Sequence, residues 1–150
     1  MLFRSTKPFE VEDKDLNEAR AKAQTGNSYV LVLEQNTPRF FVANEVFGYL
    51  SWTAILGADP ERIQIDYGHN VPNGIHVFEV APNPGGWANM TYRDLNGVLH
   101  SSPVSGQIFL SVVRPEFGTS YQNAGILLNV RFGSGSTEVV INGTFVNNSD

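Results

Sequence analysis

Residues 85–105 read GGWANMTYRDLNGVLHSSPVS. Arg93, Asp94, Asn96, His100, Ser101 and Ser102 crowd into ten consecutive positions, as a catalytic cluster would. The same residues read as a β-hairpin. Asn96-Gly97 is the strongest short hairpin signal, because both central positions of a type I′ turn need positive φ. With that two-residue loop, Asp94 faces Leu99, Arg93 faces His100 and Tyr92 faces Ser101. The pleat then places Thr91, Arg93 and His100 on one face and Tyr92, Asp94 and Ser101 on the other. A Ser/His/Asp relay needs its three side chains within hydrogen-bond reach. The hairpin reading therefore disperses the cluster and predicts antiparallel β structure in place of a catalytic centre.

The chain on either side agrees. Upstream, YVLVLE (29–34), RFFVA (39–43) and YLSWTAIL (49–56) are β-rich runs set off by turn residues. Ile63-Gln64-Ile65-Asp66-Tyr67 alternates with period two, and IHVFEVA (75–81) is apolar on both faces. Downstream, 106–114, 125–132 and 137–147 complete the set, with Gly133-Ser134-Gly135-Ser136 as a hairpin loop. About nine or ten short strands with turn signals every eight to twelve residues predict an all-β antiparallel sandwich. The expected inner faces hold Ile63, Ile65, Val77, Tyr92, Ile108, Leu110, Ile126, Leu128, Val130, Val139, Ile141 and Phe145, and Gly143 marks a bulge or a close approach. One helix precedes the strands. EDKDLNEARAKAQT (12–25) has Asp13 or Asp15 to cap it and Gly26 to stop it, but only Leu16, Ala19 and Ala23 to bury. The expected organisation is an N-terminal extension, 1–26, and a sandwich domain, 27–150.

FVANEVFGYLSWTA (41–54), NGIHVFEV (73–80), WANMTYRDLNGVLHSSPVSGQIFLSV (87–112) and VVINGTFVN (139–147) resemble a loose family of uncharacterised bacterial β-sandwich domains, often found on lipoproteins. The resemblance spans residues 41–147. It implies the fold and brings no chemistry with it.

Composition narrows the partners. The chain has 150 residues, 41% of them hydrophobic and 11% aromatic, enough to bury a core. Charged residues are only 17% and the net charge is −5, so nucleic acid is not an expected partner. Lys7, Lys14 and Lys22 all lie near the N-terminus, and arginine supplies every later cation. With no cysteine, disulfides, thiolate nucleophiles and Cys-zinc sites are excluded. No run is long and apolar enough to suggest a signal peptide or a membrane span. The expectation is a protein that stays where it is made or one that has lost its leader.

Motifs that carry chemistry are mostly absent. There is no Gly-x-Ser-x-Gly elbow, phosphate-cradling loop or dinucleotide fingerprint, so no cofactor is expected. Asp66, His69, His76 and Glu79 spell Asp-x-x-His…His-x-x-Glu across what reads as one hairpin, a donor set for a divalent metal. The parity of His76 and Glu79 argues against it. Trp52 reads as core. Trp87 follows the Pro/Gly loop 82–86, and Phe117 and Tyr121 fall in RPEFGTSYQNAG (114–125), which reads as the longest polar loop.

The expected function is therefore a non-enzymatic binding module. It would recognise a protein or glycan through end loops and aromatics, with Trp87, Arg93, His100, Phe117 and Tyr121 as contact residues. The alternatives are a structural or self-assembling subunit, which would form a homo-oligomer, and a metal-dependent enzyme built on residues 66–79.

Overall fold

The computed structural model describes residues 8–41, 43, 45–81, 87–115 and 120–149. Helix α1 (Asp13–Lys22) is followed by eleven strands among the described residues. They are β1 (Ala23–Glu34), β2 (Thr37–Phe41), β3 (Glu45–Tyr49), β4 (Trp52–Leu56), β5 (Arg62–Asp66), β6 (Gly74–Glu79), β7 (Asn89–Arg93), β8 (Leu99–His100), β9 (Ser105–Val113), β10 (Tyr121–Phe132) and β11 (Val139–Ser149). Two antiparallel sheets pack face to face, with strand orders β2-β1-β11-β10-β9-β6 and β3-β4-β5-β7-β8. The all-β sandwich with one N-terminal helix is the observed architecture.

The core lies between the sheets. Val30, Val32, Ile108, Leu110, Val130 and Ile141 from the six-stranded sheet meet Val46, Ile55, Ile63, Ile65, Met90 and Tyr92 from the five-stranded one. Aromatic pairs cross the gap: Phe41 with Tyr92 at 6.5 Å and Tyr67 with Phe78 at 5.4 Å between centroids. Gly143 is a close approach. A Cβ there would lie 2.4 Å from the Tyr29 carbonyl oxygen. At Gly125, the ring of cross-strand Phe145 fills the space a side chain would take.

Local expectations shift in four places. The run 49–56 is not one strand; β3 and β4 pair across a turn at Leu50-Ser51. Helix α1 ends at Lys22, not 25, because Ala23 already pairs with Ser149. A helix burying only Leu16 and Ala19 cannot hold its last turn against a sheet. Residues 121–124, expected in a loop, start β10 instead. Gly135–Thr137 form a short 3₁₀ turn in the expected hairpin loop.

Three residues expected in the core are exposed: Val77, Ile126 and Leu128. In β10 the cause is a bulge. The register with both neighbours breaks after Leu127 or Leu128, and Asn129, at φ 50, is the extra residue. Its N–H donates to Asn142 Oδ1 at 2.8 Å. The bulge inverts parity, so Leu127 and Val130 both point inward while Ile126 and Leu128 point outward. In β6 both faces are apolar, and it is Phe78, not Val77, that faces the core.

Candidate functional site

The hairpin of residues 89–100 exists, but its register differs by one residue from the expected one. Tyr92 pairs with His100 and Arg93 with Leu99. Gly97 N–H donates to Asp94 O at 2.9 Å and Asp94 N–H to Val98 O at 3.0 Å, a three-residue loop. Gly97 has φ 82, whereas Asn96 is not among the residues with positive φ. This is a type I turn closed by a glycine bulge, the next commonest hairpin connection. The Asp94 carboxylate selects it, accepting from the N–H of Asn96 (2.9 Å) and of Val98 (3.0 Å).

That slip brings His100 to the inner face beside Tyr92 and Asp94. Nε2 of His100 lies 3.0 Å from Asp94 Oδ2, and the ring stacks on Tyr92 at 5.6 Å. Burial pushes the Asp94 carboxyl up, but its hydrogen bonds from His100, Val98 and Asn96 outweigh this and hold it below its usual range. The dispersal expected of this cluster is thus overturned for Asp94 and His100. Arg93 goes to the opposite face, where it donates to Gly97 O at 2.8 Å and pairs with Glu10.

Tyr92 extends the group into a polar cluster that the sequence analysis did not find. Arg39, on edge strand β2, grips Glu61 with both guanidinium arms, Nη1 to Oε1 at 3.2 Å and Nη2 to Oε2 at 2.5 Å. Nη2 also lies 3.0 Å from Glu34 Oε1 and 2.9 Å from the Tyr92 hydroxyl. The Tyr92 hydroxyl is 2.6 Å from Glu61 Oε2 and 3.0 Å from Glu34 Oε1; its single proton suits the nearer oxygen. Glu61 is only 4% exposed. Its bond to Arg39 raises the guanidinium above its usual range; burial, then Glu61, raises the Tyr92 phenol. Arg39 and Glu34 come from one sheet, Tyr92 and the residue leading into β5 from the other. The cluster clamps one end of the sandwich shut, and Arg39, Glu61, Tyr92 and Glu34 each bond within it.

The proposed metal donors separate. Strands β5 and β6 belong to different sheets, so 66–79 is a crossover and not a hairpin. Asp66 Oδ1 accepts from Gly68 N–H at 2.8 Å, and His76 Nε2 lies 2.7 Å from Pro72 O. His69 packs on Phe78, and Glu79 accepts from Gln107 at 2.8 Å. Among the described residues no three His, Cys, Asp or Glu side chains gather as a metal requires.

The expected contact residues do not share a surface. Trp87 is half-buried and bridges to Glu79 at the edge of the six-stranded sheet. Tyr121 is buried, its hydroxyl donating to Gly48 O between the sheets. Arg93 and His100 lie on opposite faces of the five-stranded sheet, and Phe117 falls outside the described residues.

The outer faces of the two sheets differ instead. On the five-stranded sheet, Phe47, Trp52 and Ala54 are covered by the N-terminal segment through Val11, Leu16 and Ala19. Val11 N–H donates to Gln64 Oε1 and Thr91 Oγ1 to Phe9 O, both at 2.7 Å, so the segment is pinned across the face. Trp52 is core, in this second cluster. The outer face of the six-stranded sheet has no such cover among the described residues. Its rows read Ile75-Ser111-Ala124-Val146 and Val77-Phe109-Ile126-Thr144-Tyr29. Ile75 is 79% exposed and Tyr29 68%, with Val77, Phe40, Ile126 and Leu128 also exposed. An apolar depression of about 430 Å³ opens between Ile75, Phe109, Ile126 and Val146. Among the described residues, the charges that reach this face, Glu79 and the Arg131–Glu138 pair, lie at its margin.

No protein-family model, curated protein or solved structure matches the chain.

Proposed function

We infer that the protein is a non-enzymatic interaction module whose contact surface is the outer face of the six-stranded sheet, and that its partner is a protein. One observation carries this: six large apolar side chains, Tyr29, Phe40, Ile75, Val77, Ile126 and Leu128, stand exposed on a single sheet face. Contiguous apolar surface of that size is uncommon on a protein that acts alone. The apolar part of the other outer face, Phe47, Trp52 and Ala54, is covered by the chain itself, which supports this reading. The polar cluster of Arg39, Glu61, Tyr92 and Glu34 supports a structural role, since its groups satisfy one another. Glycan recognition through end-loop aromatics finds no support, because Trp87 and Tyr121 do not converge.

The test places a photoreactive phenylalanine analogue at Phe109, inside the depression, and at Leu95, an exposed turn residue, as control. Illumination in the cells that make the protein should give a discrete protein adduct from position 109 and none from 95. No adduct from 109 would end the reading.

A further inference from the structure

Resting on that reading, we propose that the occupant of the bare sheet face is a second copy of this chain, packed sheet to sheet about a twofold axis. Three observations point to a copy in preference to a different partner. The first is charge. Each copy carries −5, so the surfaces that meet must themselves be free of charge. The centre of this face holds no charged residue, so two copies meet there without like-charge repulsion.

The second is shape. A twofold interface must be self-complementary, with residue i of one protomer meeting j of the other and j meeting i. The strand order is β2-β1-β11-β10-β9-β6, so the midline runs between β11 and β10. On one side Tyr29 and Phe40 form a projecting pair, ring centroids 5.2 Å apart. The depression lies over β10, β9 and β6, edged by Ile75, Phe109 and Ile126, and reaches across the midline to Val146 on β11. A twofold axis along the midline, parallel to the strands, lays β1 of one protomer over β9 of its partner. Tyr29 and Phe109 belong to the same cross-strand row, so Tyr29 of each protomer meets the Phe109 edge of the other's depression, twice, while Phe40 lies over the β6 margin. Two aligned sheets pack in this way at about 10 Å separation.

The third is size. Six strands about 4.8 Å apart and about 25 Å long present on the order of 700 Å² in projection, before corrugation is counted. A standard interface takes about 800 Å² from each partner. The face is as large as a stable dimer needs, and the long strands β1, β10 and β11 supply its middle.

Sedimentation velocity on the full chain, from about 1 to about 100 μM, tests this directly. The wild type should run at twice the 16.5 kDa chain mass. Ile126→Arg and Val77→Lys each put a charge on the face without touching the core. Each should weaken the dimer at least about thirtyfold with an unchanged circular dichroism spectrum. Should one variant fail to fold, the other decides. A monomer throughout the range, or a dimer that both folded variants retain, overturns the proposal. The photo-adduct separates this from the underlying reading. An adduct of twice the chain mass fits a copy. An adduct of any other mass from a monomeric protein leaves the interaction module standing and removes the copy. A monomer with no adduct removes both.

Discussion

Replacing Arg39 by Met tests the inter-sheet clamp. Glu61 is 4% exposed and takes both arms of the guanidinium, so the substitution leaves its carboxylate buried with only the Tyr92 hydroxyl. Removing one partner of a buried pair costs about 3–5 kcal/mol. The Arg39 side chain is 33% exposed, which places the cost at the lower end, about 3 kcal/mol. The converse change is milder. Glu61→Leu leaves a partly exposed cation that keeps Glu34 at 3.0 Å, for about 1–2 kcal/mol. The double variant Arg39→Met/Glu61→Leu removes both charges and fills the space, so it should lie within about 1 kcal/mol of the wild type. Urea unfolding followed by the fluorescence of Trp52 and Trp87 gives all three values, provided the slope is unchanged. The melting temperature should drop by about 6–12 °C for Arg39→Met alone. An Arg39→Met cost below about 1 kcal/mol would refute the reasoning. So would a double variant as unstable as the two single changes added together, since the cycle would then show no coupling.

Acid stability should depend on Asp94. Its folded-state value lies below the usual 3.8, so its contribution is fully present above that pH and is lost as pH falls through the folded-state value. Asp94→Asn should flatten this part of the stability curve measured by denaturation between about pH 2 and 6, and an unchanged acid slope would contradict the assignment. The hairpin turn makes a sharper contrast. Gly97→Ala, at φ 82, should cost about 1–2 kcal/mol, while Asn96→Ala should cost less than about 0.5 kcal/mol; a two-residue type I′ loop would penalise both in thermal melts. Gly143→Ala drives a Cβ to 2.4 Å from the Tyr29 carbonyl and should lower stability by about 3 kcal/mol. Gly135→Ala meets open space and carries only the strain of φ 60, about 1 kcal/mol, so comparable melting temperatures for the two variants would rule out the close approach.

The strands were legible wherever period and punctuation agreed. Ile63-Gln64-Ile65 alternates between turn signals, and both isoleucines are fully buried. The helix was legible from its charges and caps, though not its end, because the competing partner of Ala23 lies at Ser149, 126 positions away. Tyr121–Ala124 looked like a loop for the same reason. Its strand is made by pairing with β9 and β11 and not by its own composition.

Site chemistry was less legible. Asp94 was known to be near Asn96 and Gly97, but whether it would direct the turn depended on competition between two connections one residue apart. That single residue moved His100 to the other face of the sheet. Arg39 and Glu61 lie 22 positions apart and 53 and 31 from Tyr92, spacings that correspond to no motif. The Asn129 bulge likewise turned Ile126 and Leu128 outward.

The sequence alone determined a cysteine-free, weakly charged β-sandwich with a short helix at its start. Those are properties of composition and of period, and each is local. Only the tertiary structure decided which apolar face would be inside, which would be covered by residues 8–22, and which has no cover among the described residues. A strand that is apolar on both sides carries no record of which side is the core. The parity that decides it is set by bulges and by cross-strand partners far away in the chain.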